Sequence, residues 1–161
     1  HDPSIPPDLV YSGSLKLTDI PEGLNLDAGR LVLSPTRTYA PVAVRILREL
    51  KHSIHAMIHC SGGGQTKVMH FTDGLHVIKD NMFPVPPLFR IIREQSGTPW
   101  QEMYRVFNMG HRLEIYTDHG TADRIIEIAS GFNLEARIIG YCEASGTKRL
   151  TIVSEFGRFE Y

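Results

Sequence analysis

Ile54-His55-Ala56-Met57-Ile58-His59-Cys60-Ser61-Gly62-Gly63-Gly64 is the stretch on which the reading of the fold turns. Ile54, Ala56, Ile58 and Cys60 fall on one face of an extended chain, with His55, Met57 and His59 on the other. That period of two predicts a strand, and it runs directly into a glycine loop. Downstream, Gln65 to His70 reads as a short helix and Leu75 to Lys79 as a second short strand. Upstream, Ser34-Pro35 reads as a helix start, because Ser caps free N–H groups and Pro is tolerated in the first turn. Tyr39, Val42, Ala43, Ile46, Leu47 and Leu50 then recur at helical spacing through Thr36 to Lys51. Pro41 either kinks that helix or marks a start just before it.

Beyond Lys79 the same mixture continues. Phe83-Pro84-Val85-Pro86-Pro87 is a bend, and Pro87 can open the helix Leu88 to Gln95, which Ser96-Gly97 stops. Thr98 is expected to cap a further helix, Trp100 to Val106. Arg112 to Thr117 alternates as a strand, and Thr121 to Ser130 is an amphipathic helix stopped by Gly131. Ala136 to Ala144 and Arg149 to Phe156 read as strands, joined as a hairpin through Ser145-Gly146. Mixed elements with locally paired strands predict an α+β fold, a mixed, largely antiparallel sheet packed with helices. The first stretch differs. His1 to Gly29 carries Pro3, Pro6, Pro7 and Pro21 with turn pairs at Ser12-Gly13 and Glu22-Gly23. The chain therefore divides into an irregular segment, 1–30, and a domain, 31–161. Without an initiator Met, its start is expected to be a cut through a larger protein.

Composition bounds the function. Seventeen Lys and Arg against eighteen Asp and Glu leave a net charge of −1, which argues against a domain held to nucleic acid by bulk charge. With 42% hydrophobic and 22% charged residues in 161, one folded domain with a sizeable core is expected. No apolar run approaches the ~20 residues of a membrane helix, and His1 to Pro7 lacks the apolar stretch of a secretory signal. Cys60 and Cys142 form no C-x-x-C pair and lie in apolar runs, so both read as buried free thiols in a reducing, cytoplasmic compartment.

Three segments carry candidate chemistry. Gly62, Gly63 and Gly64 are costly to order, but bare backbone N–H groups can close on phosphate oxygens where a strand feeds a helix. A plain tight loop would use the same residues. The pattern is not a Walker loop, and Lys67 is misplaced for one. Thr36, Arg37 and Thr38 near a helix start suit a carboxylate or phosphate, or else simple capping and surface charge. Asn108 and Gly110 between a helix and a strand can approach a polar ligand, or end the helix. The eight His show no metal-ligand spacing, so no metal site is assigned. His59 beside the glycine loop reads as a hydrogen-bonding or titrating group. Trp100, Tyr104 and Phe107 at helical spacing read as core.

In order and spacing, these segments resemble the phosphoribosylformylglycinamidine cyclo-ligase family, also called AIR synthase. The family's Pro-Thr-Arg-x-Tyr entry is matched by Leu33-Ser34-Pro35-Thr36-Arg37-Thr38-Tyr39. Its His-x-Thr-Gly-Gly-Gly loop is matched by His59 to Gly64, with Ser61 in place of Thr. Its Glu-Met-Tyr-x-x-Phe-Asn-x-Gly is matched by Glu102 to Gly110. Ile139-Gly140 and Ala144-Ser145 are also similar, so the resemblance runs from Leu31 to Val153. It implies the C-terminal α+β domain of a two-domain, homodimeric enzyme that closes formylglycinamidine ribonucleotide to aminoimidazole ribonucleotide. It implies ATP and Mg²⁺, held mostly by an N-terminal domain that this chain does not include, so the fragment alone should not turn over. It also implies that Ser61, Gly62, Gly63 and Gly64 hold the ribose phosphate. His59, Thr36, Arg37, Asn108 and Gly110 would complete the cleft. No general base is assigned. Arg112 stands where the family usually has glycine, so either the loop is shaped differently or Arg112 meets an anion. The alternatives are a related ATP-using synthetase of the same superfamily and a non-catalytic phosphate-binding or interaction module.

Overall fold

The computed structural model describes residues 3, 4, 6, 13–35 and 37–161. Helix α1 (Ala28–Val32) precedes α2 (Ala40–Leu50), which a turn of 3₁₀ helix joins to β1 (Ile54–His59). A 3₁₀ helix (Gly64–His70), β2 (Leu75–Lys79), α3 (Pro87–Ser96) and α4 (Trp100–Val106) follow. The chain ends with β3 (Leu113–Thr117), α5 (His119–Ser130), β4 (Gly140–Ala144), β5 (Arg149–Ser154) and β6 (Gly157–Glu160). The α+β expectation holds, with the strands divided between two sheets. Antiparallel β1 and β3 form one, and the other runs in the order β4-β2-β5-β6. Among the described residues, only the β2–β5 pairing is parallel.

The expected β4–β5 hairpin does not form, because β2 lies between the two strands. Val77, Ile78 and Lys79 are all buried, the mark of a strand covered on both faces and paired at both edges. Gly140 permits the close approach on one edge, since a Cβ there would collide with the backbone of Ile78. Residues Ala136 to Ile139 stay outside β4. Ile139 instead uses its carbonyl for the amides of Asp80 and Asn81 (3.0 and 3.1 Å). The local hairpin is β5–β6, in which Ser154 pairs with Gly157. As the outer strand, β4 leaves Cys142 exposed, so only Cys60 is a buried thiol.

Two caps differ from expectation, while the start just before Pro41 that the sequence also allows is the one observed. Ser34-Pro35 opens no helix, and α2 begins at Ala40 with Pro41 in its first turn. In a helix begun at Thr36, Pro41 would offer no N–H to the carbonyl of Arg37. In the first turn, that missing donor costs nothing. Thr98 does not cap α4. Its hydroxyl pairs with that of Ser96 at 2.7 Å, and Pro99 takes the cap position.

Two apolar cores result. Val42 and Ile46 of α2 pack on Ile125, Ile128 and Ala129 of α5. The larger core joins Ile58, Val68, Val77, Met103, Tyr104, Met109, Leu150 and Ile152 beneath the four-stranded sheet. Trp100 and Phe107 border it, as their helical spacing predicts. The glycine loop and the Asn108–Gly110 turn both leave elements anchored in this core.

Candidate functional site

Between Cys60 and the 3₁₀ helix, the loop turns tightly on itself. The Ser61 amide donates to His59 O (2.8 Å) and the Gly64 amide to Ser61 O (2.9 Å). The amides of Gly62 and Gly63 take no backbone acceptor among the described residues. Lys67 turns back from the 3₁₀ helix and donates to Ser61 Oγ at 2.8 Å. One bend therefore gathers two bare amides, a hydroxyl and an ammonium. The amides and the ammonium are donors, while the Ser61 hydroxyl accepts from Lys67 and directs its own proton to His59 O (3.4 Å), so the chemistry of an anion cradle rests on the three nitrogens. The same arrangement shows that Lys67, misplaced for a Walker loop, still reaches the loop. His59 is exposed and meets the Tyr39 ring edge-on, with centroids 6.2 Å apart.

The third glycine has a different task. Gly64 is buried against the end of α4, and a Cβ there would meet the backbone of Phe107 and Tyr104. The next residue, Gln65, reaches the third segment: its Nε2 donates to Asn108 O (2.5 Å) and His111 O (3.3 Å). Asn108 folds its own side chain back, with Oδ1 accepting from the Gly110 amide at 3.1 Å. Met109 adopts φ +52° and is fully buried. The glycine loop and the Asn108–Gly110 turn are thus one construction.

Arg37 lies apart from it. Its guanidinium donates to Asn133 O (3.3 Å) and borders a cavity of about 1200 Å³. Gly110, Arg112 and Tyr39 also line that cavity, while His59 and Ser61 to Gly64 do not. Thr36 lies outside the described residues.

A buried polar cluster links these parts, and the sequence reading missed it. Lys79 and Glu114 are 1% and 4% exposed, and Nζ lies 2.5 Å from Oε1. The same oxygen accepts from His111 Nε2 (2.9 Å), while Tyr116 donates its hydroxyl to Oε2 (2.7 Å). Burial works against the Glu114 charge. Lys79 and His111 outweigh it and bring the carboxyl down to about 2. One signal was available: Lys79 and Glu114 are opposite charges within two short strand-like runs.

Cys60, His111 and Glu114 place potential ligand atoms within 4.8 Å of one another. A thiol, an imidazole and one carboxylate are a poor set for Mg²⁺, which favours several oxygens. Burial pushes the Cys60 thiol up to about 12, away from the thiolate that a softer metal would need. The Lys79 ammonium already occupies the carboxylate. The cluster is an ion-pair site, and no Mg²⁺ chemistry is derived from it. Among the described residues, no helix is long and apolar enough to cross a membrane.

Residues 16–153 match the family "AIR synthase related protein, C-terminal domain". The phosphoribosylformylglycinamidine cyclo-ligase of Methanopyrus kandleri is 32% identical over 112 residues, covering 70% of this chain and 32% of that protein. That of Syntrophus aciditrophicus is 31% identical over 144 residues, covering 83% and 39%. The chain therefore spans about a third to two-fifths of such relatives. Escherichia coli HypE, a hydrogenase maturation protein, shares the fold with a TM-score of 0.53 at 18% identity, covering 78% of this chain and 39% of that one. Family match, fold and motif order converge, and the chain belongs to the AIR synthase related family as a C-terminal domain.

Proposed function

We propose that this chain is the C-terminal domain of an ATP-dependent cyclo-ligase, and that it supplies the substrate-phosphate side of the cleft. In the proposed reaction, formylglycinamidine ribonucleotide becomes aminoimidazole ribonucleotide. ATP phosphorylates the formyl oxygen, a nitrogen of the substrate attacks the activated carbon, phosphate leaves and the ring closes. Such chemistry depends on positioning and charge stabilisation. The chain's part is to hold the ribose phosphate. ATP and Mg²⁺ belong on an upstream domain of a longer, homodimeric, cytoplasmic protein, and the fragment alone is inactive. Names of the relatives support the reaction class.

The observation that carries this reading is the convergence of donors on one bend. The Gly62 and Gly63 amides and Lys67 Nζ meet at it beside Ser61 Oγ, with no carboxylate bonded to them among the described residues. Exposed His59 lies two residues before Ser61 against the Tyr39 ring, and the Asn108–Gly110 turn is tied to Gln65, the residue after the loop. Arg37 is assigned to a more distant part of the cleft, beside Asn133, and Thr36 keeps the role that the family resemblance implies.

Calorimetric titration with ribose 5-phosphate tests the cradle. Lys67→Ala should weaken binding about tenfold, the loss of one charge-assisted contact. Ser61→Ala should weaken it less. Raising the salt concentration should lower the affinity of the wild type more than that of Lys67→Ala. A wild type that takes up no ribose 5-phosphate would overturn the cradle.

A further inference from the structure

We infer that Lys79 is a positioning residue: buried between the two sheets, it orients Gln65 and so sets the glycine loop against the Asn108–Gly110 turn. Lys79 belongs to β2 of the four-stranded sheet, and Glu114 to β3 of the two-stranded one. All three ammonium protons have acceptors: Glu114 Oε1 at 2.5 Å, Gln65 O at 2.8 Å and Gln65 Oε1 at 3.0 Å. A lysine ammonium only donates. It therefore holds the oxygen of the Gln65 carboxamide toward itself and leaves the nitrogen facing the turn. That nitrogen is the one bonded to the carbonyls of Asn108 and His111. Without Lys79, Oε1 loses its donor, and the two turn carbonyls are left to disfavour the flipped orientation by themselves.

The turn needs such an anchor. Met109 holds a left-handed φ of +52° that L-residues other than Asn and Asp rarely adopt. Glu114 contributes a second hold by accepting from His111, the residue that follows the turn. An ion pair kept only for stability could be exchanged for apolar side chains at little cost. This one spends two of its three donor bonds on the residue that follows the glycines. The coupling is a property of the fold. Its bearing on phosphate affinity rests on the proposed function above.

The experiment uses amide hydrogen exchange, resolved by NMR, on the 161-residue protein. Lys79→Met combined with Glu114→Leu removes both charges at similar volume, so neither is left unpaired. Reporters are the amides of Gly64 and His111, which donate to Ser61 O and Asn108 O. Controls are the amides of Leu150 and Tyr161, which bond one another's residues where β5 meets the end of the chain and bond neither the loop nor the turn. The reporters should exchange about tenfold faster while the controls stay unchanged, a local rather than a global opening. Gln65→Leu, which keeps the ion pair and cuts only the bridge, should reproduce that pattern, and it serves if the double variant fails to fold. Equal acceleration at reporters and controls, or none at the reporters, overturns the inference.

Ribose 5-phosphate titration of the same proteins separates the two readings. If the wild type binds none while the reporters accelerate, the positioning stands and the cradle falls. If wild type and variants bind equally and the reporters do not move, the positioning falls and the cradle stands.

Discussion

A Cβ on Gly64 would lie 2.5 Å from the carbonyl oxygen of Phe107 and 2.8 Å from its nitrogen. Both are backbone atoms at the end of α4, and Gly64 also holds φ +48°. The third glycine is therefore required by packing. Gly62 has nothing within 4 Å of the same probe position. Gly64→Ala should destabilise the protein by about 2–4 kcal/mol, whereas Gly62→Ala should cost under about 1 kcal/mol. Urea denaturation of both variants measures this. Equal costs would refute the division between the open Gly62 and the packed Gly64.

Stability should fall in acid through Glu114. Burial alone would raise its pKa, but Lys79 and His111 bring it from 4.5 to about 2 in the folded state. A depressed folded pKa means that the unfolded chain binds the proton first. The contribution of Glu114 is then complete above pH 4.5 and is lost as pH falls toward 2. The loss should be on the order of 3 kcal/mol. Lys79→Met with Glu114→Leu should flatten the profile of stability against pH across that window. Denaturant midpoints measured from pH 6 to pH 2 decide it; parallel profiles for the two proteins would sink the assignment.

Most elements were legible because their signals are local. Alternation from Ile54 to His59, Pro87 at a helix start and the glycine run each act through adjacent backbone. The order of the four-stranded sheet was not local. Ser145-Gly146 looks like a hairpin turn, and only the burial of Val77, Ile78 and Lys79 on both faces shows that β2 claims the space between β4 and β5. The site divides in the same way. The glycine loop and the Asn108 turn were visible as motifs. The tie between them runs through Gln65 and Lys79, residues in unrelated segments whose meeting depends on how two sheets face each other.

The cysteines should react in two stages. Cys142 lies exposed on the outer strand β4, while Cys60 is 3% exposed and burial pushes its thiol up to about 12. The thiolate is the reactive form, so Cys60 is protected by protonation as well as by access. A disulfide reagent at mild alkaline pH should titrate one thiol in the native protein and the second only after denaturation. Cys142→Ser should remove the fast phase. Rapid labelling of both thiols in the native state would contradict the burial of Cys60.

Trp100 and Phe156 stack face to face, with centroids 3.6 Å apart and planes 6° from parallel. Arg93 lies over Trp100 at 5.6 Å, and Arg90 over Phe156 at 4.9 Å. Phe156 sits in the turn of the β5–β6 hairpin and Trp100 at the start of α4, so the stack pins the last two strands to the helical side. Tyr161 adds a hydrogen bond to Gln101 O at 2.6 Å in the same direction. Phe156→Leu keeps apolar bulk but removes the stacked face, and should cost about 1–2 kcal/mol. Because Trp100 is the chain's single tryptophan, its emission reports this contact without interference. The variant should shift that emission to longer wavelength in the folded state and lower the denaturant midpoint. An unchanged spectrum and midpoint would mean that the stack does not pin the hairpin, which the Tyr161–Gln101, Tyr104–Phe159 and Arg90–Glu155 contacts then hold.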